Sequence, residues 1–217
     1  MTADARDRRR APPFPVPWVT LTFVLISASL GLLPGLPESL QYDRSRVAGS
    51  AFWLPFTAQA VHWSSRMSIA DLGTTLLLGS VIEARSRRLL LIVVMAGMLL
   101  VGAGLHLLAP AVAVYRGASG VASALFVALA IDLALVGEAP AAGAARFRRP
   151  IAWMALVLFA VKVVVEMTTG SAYFAGTMEP GVRVLPLAHL LGAVAGSVVV
   201  VTERATRSQS RTGPAEP

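Results

Sequence analysis

Apolar residues along this chain fall into six long runs, separated by short stretches rich in Arg, Gly and Pro. The runs cover roughly residues 18–36, 67–82, 89–109, 119–136, 151–167 and 185–202. Each comes close to the roughly 20 residues that a helix needs to cross a bilayer. Membrane-barrel strands would be about ten residues long and alternating, and these runs are neither. The Gly and Pro within them are tolerated better in membrane helices than in soluble ones. The pattern predicts an all-α polytopic membrane protein with six transmembrane helices. The domain is expected over residues 18–202.

Composition supports a membrane solvent and excludes the alternatives. Hydrophobic residues make up 55% of the 217 positions and charged residues only 14%. Mean hydropathy is +0.67. A soluble domain carries about 25% charge, so these charges are too few to cover a water-soluble globule. Disordered chains are poor in apolar residues, which excludes general disorder. There is no Cys, hence no disulfide, thiol catalysis or Cys–metal site.

The ends read differently. Residues 1–17 hold Arg6, Arg8, Arg9 and Arg10, then Pro12, Pro13, Pro15 and Pro17. They predict a flexible N-terminal tail with a semi-rigid spacer. The first apolar run is long and lacks a clear small-residue cleavage site, so it is expected to be a retained helix and not a signal peptide. Residues 203–217 are polar and predict a disordered C-terminal tail.

Charge sets the orientation. The net charge is +7, and Lys162 is the sole Lys among 19 basic residues. With six spans, both termini share one side with Arg85, Arg87, Arg88, Arg146, Arg148 and Arg149. That side collects thirteen Arg, and the other holds Arg44, Arg46, Arg66, Arg116 and Arg183. The positive-inside rule then places both termini in the cytoplasm. The basic residues flank apolar runs, which points to acidic headgroups as their partners and to no nucleic acid. The segment 37–66 becomes an external loop. Its Phe52, Trp53, Phe56 and Trp63 suit a membrane interface.

Polar residues within spans are functional candidates by default. The fourth span opens with Tyr115-Arg116-Gly117-Ala118-Ser119-Gly120, and the sixth contains Ala188-His189-Leu190-Leu191-Gly192, then Gly196. Both spans enter from the external side. At about 1.5 Å per residue, Ser119 and His189 lie within a few ångströms of one depth. Gly117 and Gly120 flank the Ser, and Gly192 with Gly196 makes a small-xxx-small step that lets helices approach closely. Ser and His at matching depth can act as nucleophile and base. Asp71 on the second span, approached by His62, lies in the same external half.

These pieces resemble the rhomboid family of intramembrane serine proteases. Gly117-Ala118-Ser119-Gly120 is similar to its GxSG motif, and Ala188-His189-Leu190-Leu191-Gly192 to its AHxxG motif. His62 resembles the first His of HxxxxHxxxN, Gly79 and Glu83 resemble a closing GxxxE, and Trp53 resembles the Trp of the loop WR pair. Three pieces resemble the rhombosortase-type branch, which is associated with proteins bearing a C-terminal GlyGly-CTERM anchor. They are the Tyr115–Gly120 piece, Glu166-Met167-Thr168-Thr169-Gly170 and Pro186-Leu187-Ala188-His189.

The resemblance implies a six-helix bundle in a bacterial inner membrane, with its active site facing the external side. It implies a Ser119–His189 dyad that cleaves single-span membrane proteins, with no cofactor or metal. The sequence pattern fixes no oligomeric state. Gly117, Gly120, His62 and Asp71 would support the oxyanion. Four positions depart from the family pattern. Met67 stands for the second His, Asp71 for the Asn, Leu54 follows Trp53 where Arg is usual, and Ser123 replaces an aromatic. Met cannot donate a hydrogen bond. Asp71 would then work protonated, as a donor, or would orient a water or His62. The departures also open an alternative, a catalytically inactive rhomboid-like protein that binds transmembrane helices.

Blander readings belong to the other polar residues. Lys162 and Glu166, four apart on one helical face, are expected to satisfy each other. Glu83 is expected to order the cytoplasmic turn, His106 to pack at the interface, and Arg116 to anchor at the headgroups. A transporter path would need an ordered file of charges. Asp71, Asp132, Lys162 and Glu166 form none.

Overall fold

A computed structural model of the chain describes residues 15–135, 146–170 and 185–211. Its frame is six long helices, α1 (Trp18–Leu32), α5 (Ser65–Arg85), α6 (Arg87–Leu108), α7 (Ser119–Ala134), α8 (Arg148–Thr169) and α9 (Pro186–Arg211). Three short helices lie in the α1–α5 connection: α2 (Leu36–Leu40), α3 (Arg44–Ala48) and α4 (Leu54–Thr57). By length and hydropathy α5, α6, α8 and α9 are able to cross a membrane, while α1 and α7 are apolar but shorter.

The expected element boundaries need three corrections. The first run stops being helical at Leu32, ahead of the Pro34-Gly35 turn where Gly35 takes φ 75°. The fold is nearly all-α, with one short strand pair added among the described residues. Strands β1 (Tyr42–Asp43) and β2 (Val114–Tyr115) pair antiparallel, with Tyr42 opposite Tyr115. Polarity alone suggested a disordered tail from residue 203, yet α9 continues to Arg211. Side chains explain this: Arg207 bonds Glu203 one turn back, and Arg204 reaches the α7 end. Residues 1–14 of the expected N-terminal tail and 212–217 of the C-terminal tail lie outside the described residues.

α7 is the central helix, with most of its side chains buried against α5, α6, α8 and α9. Lipid gives helices no hydrophobic reason to associate, so close backbone packing and polar contacts must hold them. Both are present. A Cβ on Gly196 would collide with the Ala124 carbonyl oxygen, and one on Gly97 would come within 3.2 Å of Ala124 Cβ. At the Arg-rich end, Asp132 of α7 accepts from Arg85 of α5 (2.9 Å) and Arg204 of α9 (2.8 Å). Gly79 of α5 makes room for Thr20 of α1, and Glu83 one turn on accepts from the Val19 and Thr20 backbone N–H groups at 3.0 and 2.9 Å. That carboxylate therefore caps the open N-terminus of α1. These contacts make α5, α7 and α9 run in one direction. Large apolar side chains remain exposed on the outer faces, among them Leu25, Leu77, Leu99, Leu158, Val164 and Val198. So broad an apolar surface suits lipid and not water.

Candidate active site

The loop before α7 is held from three sides. The Gly117 N–H donates to the Ala58 carbonyl (3.0 Å), and β2 pairs with β1 just upstream. Tyr115 donates its hydroxyl proton to the Gly117 carbonyl at 2.9 Å. Gly117 sits at φ 139°, which side-chain-bearing residues rarely adopt, so the Gly of this motif is a backbone requirement. Burial, and then the charge of Asp71, push the Tyr115 phenol well above its ordinary value of 10.0. The Ser119 side chain works the other way. Tyr115 is thus a neighbour of Ser119 that sequence reasoning missed.

Asp71 reaches this loop from α5. Its Oδ2 accepts from the Ala118 N–H at 3.0 Å. His62 Nε2 lies 3.4 Å from the same oxygen, yet it is buried and makes no aligned hydrogen bond among the described residues. Met67, one turn before Asp71, puts its Cε near Gly117. Helix geometry leaves the Ser119, Gly120 and Val121 N–H groups without partners from a preceding turn.

α9 carries His189 to the same level. A Cβ on Gly120 would come within 3.1 Å of the Ala188 carbonyl oxygen, and one on Gly192 would overlap the Gly120 carbonyl oxygen. The turns bearing Ser119 and His189 are therefore side by side, with almost no side-chain volume between the backbones. His189 is buried, and its Nδ1 is 2.8 Å from Glu166 Oε2 and 3.2 Å from Lys162 Nζ. Lys162 Nζ is 2.8 Å from both Glu166 oxygens. The expected Lys162–Glu166 pair is present, but its reach to His189 was not anticipated. One signal was available: Glu166 lies near the end of a helix running opposite to α9, so it reaches the level where α9 begins.

Other candidates are placed as follows. Arg116 is only 7% exposed, which corrects the headgroup-anchor reading. It donates to Gln41 (2.8 Å) and Glu38 (2.9 Å) and lies over the Trp63 ring at 4.3 Å. The Glu38 carboxyl is held below its ordinary range first by its own backbone N–H and then by the Arg116 hydrogen bond. His106 bonds the Tyr42 hydroxyl at 3.0 Å. Phe52 and Trp53 are exposed on the loop. Among the described residues, no cluster of three or more His, Cys, Asp or Glu side chains is placed to hold a metal ion.

Two comparisons bear on kinship. No curated protein matches the chain. The family model described as Rhomboid domain matches residues 49–205, from the loop ahead of α4 through most of α9. That is well over half of the chain and includes both the α7 and α9 motifs, and the protein accordingly belongs to the rhomboid family, whose members are generally intramembrane serine proteases.

Proposed function

We propose that this protein is an intramembrane serine endopeptidase in which Ser119 attacks the scissile carbonyl and His189 is the base. The observation that carries this reading is the Gly120–Gly192 seam, where backbone contact leaves the Ser119 and His189 turns adjacent. His189 would take the Ser119 proton and return it to the leaving amine. The developing oxyanion would be met by N–H groups at the α7 N-terminus. The Ala118 N–H is already taken by Asp71. His62, whose buried Nε2 makes no aligned hydrogen bond among the described residues, would be the side-chain donor.

Helix length supports an immersed site. α7 has 16 residues, about 24 Å of helix at 1.5 Å per residue. A hydrocarbon core is about 30 Å thick. With its far end tied to Arg85 and Arg204, α7 would begin several ångströms below the external surface. All six long helices would span, with both termini cytoplasmic in a bacterial inner membrane. The substrate would be a single-span protein with small, helix-breaking residues at the cleaved bond, because an intact helix hides its carbonyls. The rhombosortase-like pieces favour C-terminal GlyGly-CTERM anchors as that substrate.

The test is processing of a single-span reporter with a Gly-rich C-terminal anchor in cells carrying the full chain. Ser119→Ala and His189→Ala should each abolish processing. Continued processing by both would sink the assignment. Folded wild-type protein that neither cleaves nor reacts with a fluorophosphonate at Ser119 would favour a helix-binding, inactive role, for which the Met67 and Asp71 departures speak.

A further inference from the structure

We infer that Glu166 is a positioning residue that holds His189 in the tautomer with its lone pair on Nε2, with Lys162 holding Glu166. The inference rests on the reading of Ser119 and His189 as nucleophile and base. Two groups of α8 compete for His189 Nδ1, Glu166 Oε2 at 2.8 Å and Lys162 Nζ at 3.2 Å. Their demands are opposite. A carboxylate needs an N–H at Nδ1, and an ammonium needs a lone pair there.

The geometry decides between them. Lys162 stands 2.8 Å from each Glu166 oxygen, so its protons have two better acceptors than the ring. A carboxylate oxygen 2.8 Å from a nitrogen lone pair would be strongly repelled. Nδ1 therefore carries the hydrogen and donates it to Glu166, which leaves the lone pair on Nε2 to accept a proton. In the reaction the Ser119 proton passes to Nε2 and then to the leaving amine. The Nδ1 proton stays between the ring and Glu166, and no proton moves to the carboxylate.

Removing Glu166 reverses the arrangement. Lys162 would be left beside Nδ1 and would draw the lone pair there, placing the hydrogen on Nε2, where a base must have none. A side chain that merely satisfies a buried Lys would have no such effect. Among the described residues, the charged or titratable groups around the site are Glu166 and Lys162 from α8, Tyr115 from β2, and Asp71 and His62 from α5 and its approach.

The test is the rate of fluorophosphonate labelling of the full chain in detergent micelles, as a function of pH, with Ser119→Ala as background. Thermal unfolding of each variant checks folding. Glu166→Ala is expected to label far more slowly, by up to about ten-thousandfold, the loss seen for a base held in the wrong tautomer. Glu166→Gln keeps an acceptor but loses the charge, so it should label faster than Glu166→Ala. Its acidic limb should move to lower pH. Lys162→Met should move that limb to higher pH. Opposite displacements by two neighbours are the signature of charge acting on His189. Folded Glu166→Ala labelling within about twofold of wild type would overturn the inference, as would unmoved limbs in Glu166→Gln and Lys162→Met. Wild-type labelling no faster than Ser119→Ala would instead remove the nucleophile itself, and the positioning role with it.

Discussion

Gly192→Ala is expected to force α7 and α9 apart. An added Cβ would overlap the Gly120 carbonyl oxygen and lie 2.8 Å from its carbon and 3.2 Å from the Ala124 nitrogen. All three are backbone atoms, so no rotamer change relieves them. An ordinary contact needs more than 3 Å, so the seam must open by about 1 Å. Overpacking typically costs about 1–3 kcal/mol, and a site with no side chain able to yield belongs at about 3. For a chain of this size that is a fall in Tm of about 6–12 °C. The second consequence is catalytic. A shift of about 1 Å between Ser119 and His189 lowers the rate about a hundredfold. Thermal unfolding in micelles and reporter cleavage measure the two effects. Gly104→Ala is the control, because its Cβ meets only the flexible end of the Leu191 side chain. If Gly192→Ala matched Gly104→Ala in both Tm and cleavage, the backbone seam would not be what aligns the site.

Two further outcomes test the loop ahead of α7 and the α1–α5 connection. Asp71→Asn retains an acceptor for the Ala118 N–H and should keep cleavage within about tenfold, whereas Asp71→Ala leaves that buried donor unpaired and should fall well below it; equal activity in both variants would refute the loop-holding role. Asp43 caps α3, and the Ser45 hydroxyl, with the Arg46 N–H, holds its carboxyl below the ordinary value of 3.8. A lowered carboxyl stabilises the fold above its unfolded value and loses that contribution as pH falls through the folded one. Amide protection over residues 44–48 should hold from pH 7 to 5 and decline below about pH 3.8, and Asp43→Asn should remove that decline.

The long apolar runs were legible because one periodic helix per run needs only local sequence. Ser119 and His189 stand out as candidates because each lies in a compact motif beside small residues. What escaped was decided by partners far along the chain. Arg116 looked like a headgroup anchor because its neighbours in sequence are apolar, while Gln41 and Glu38 lie 75 and 78 residues away. Glu166 looked satisfied because Lys162, one turn back, already answered its charge; its third contact depends on how α8 is rotated against α9. The two-residue pairing of β1 with β2 was too short to leave any alternation. The α9 extension was hidden because its stabilising contact, Arg204 to Asp132, joins two charged residues on different helices.

The cap that Glu83 places on α1 also sets an order of events during biosynthesis. Thr20 and Glu83 are separated by 63 residues. At roughly 5–20 residues per second, that stretch takes roughly 3–13 s to emerge from the ribosome. Until then the Val19 and Thr20 N–H groups lack this acceptor. Once Glu83 arrives, the carboxylate gains the Val19 and Thr20 N–H groups and the Thr20 hydroxyl as donors and α1 gains its N-terminal seat, so neither helix completes its polar bonding without the other. α1 thus stays unsecured until the next long helix, α5, is nearly complete.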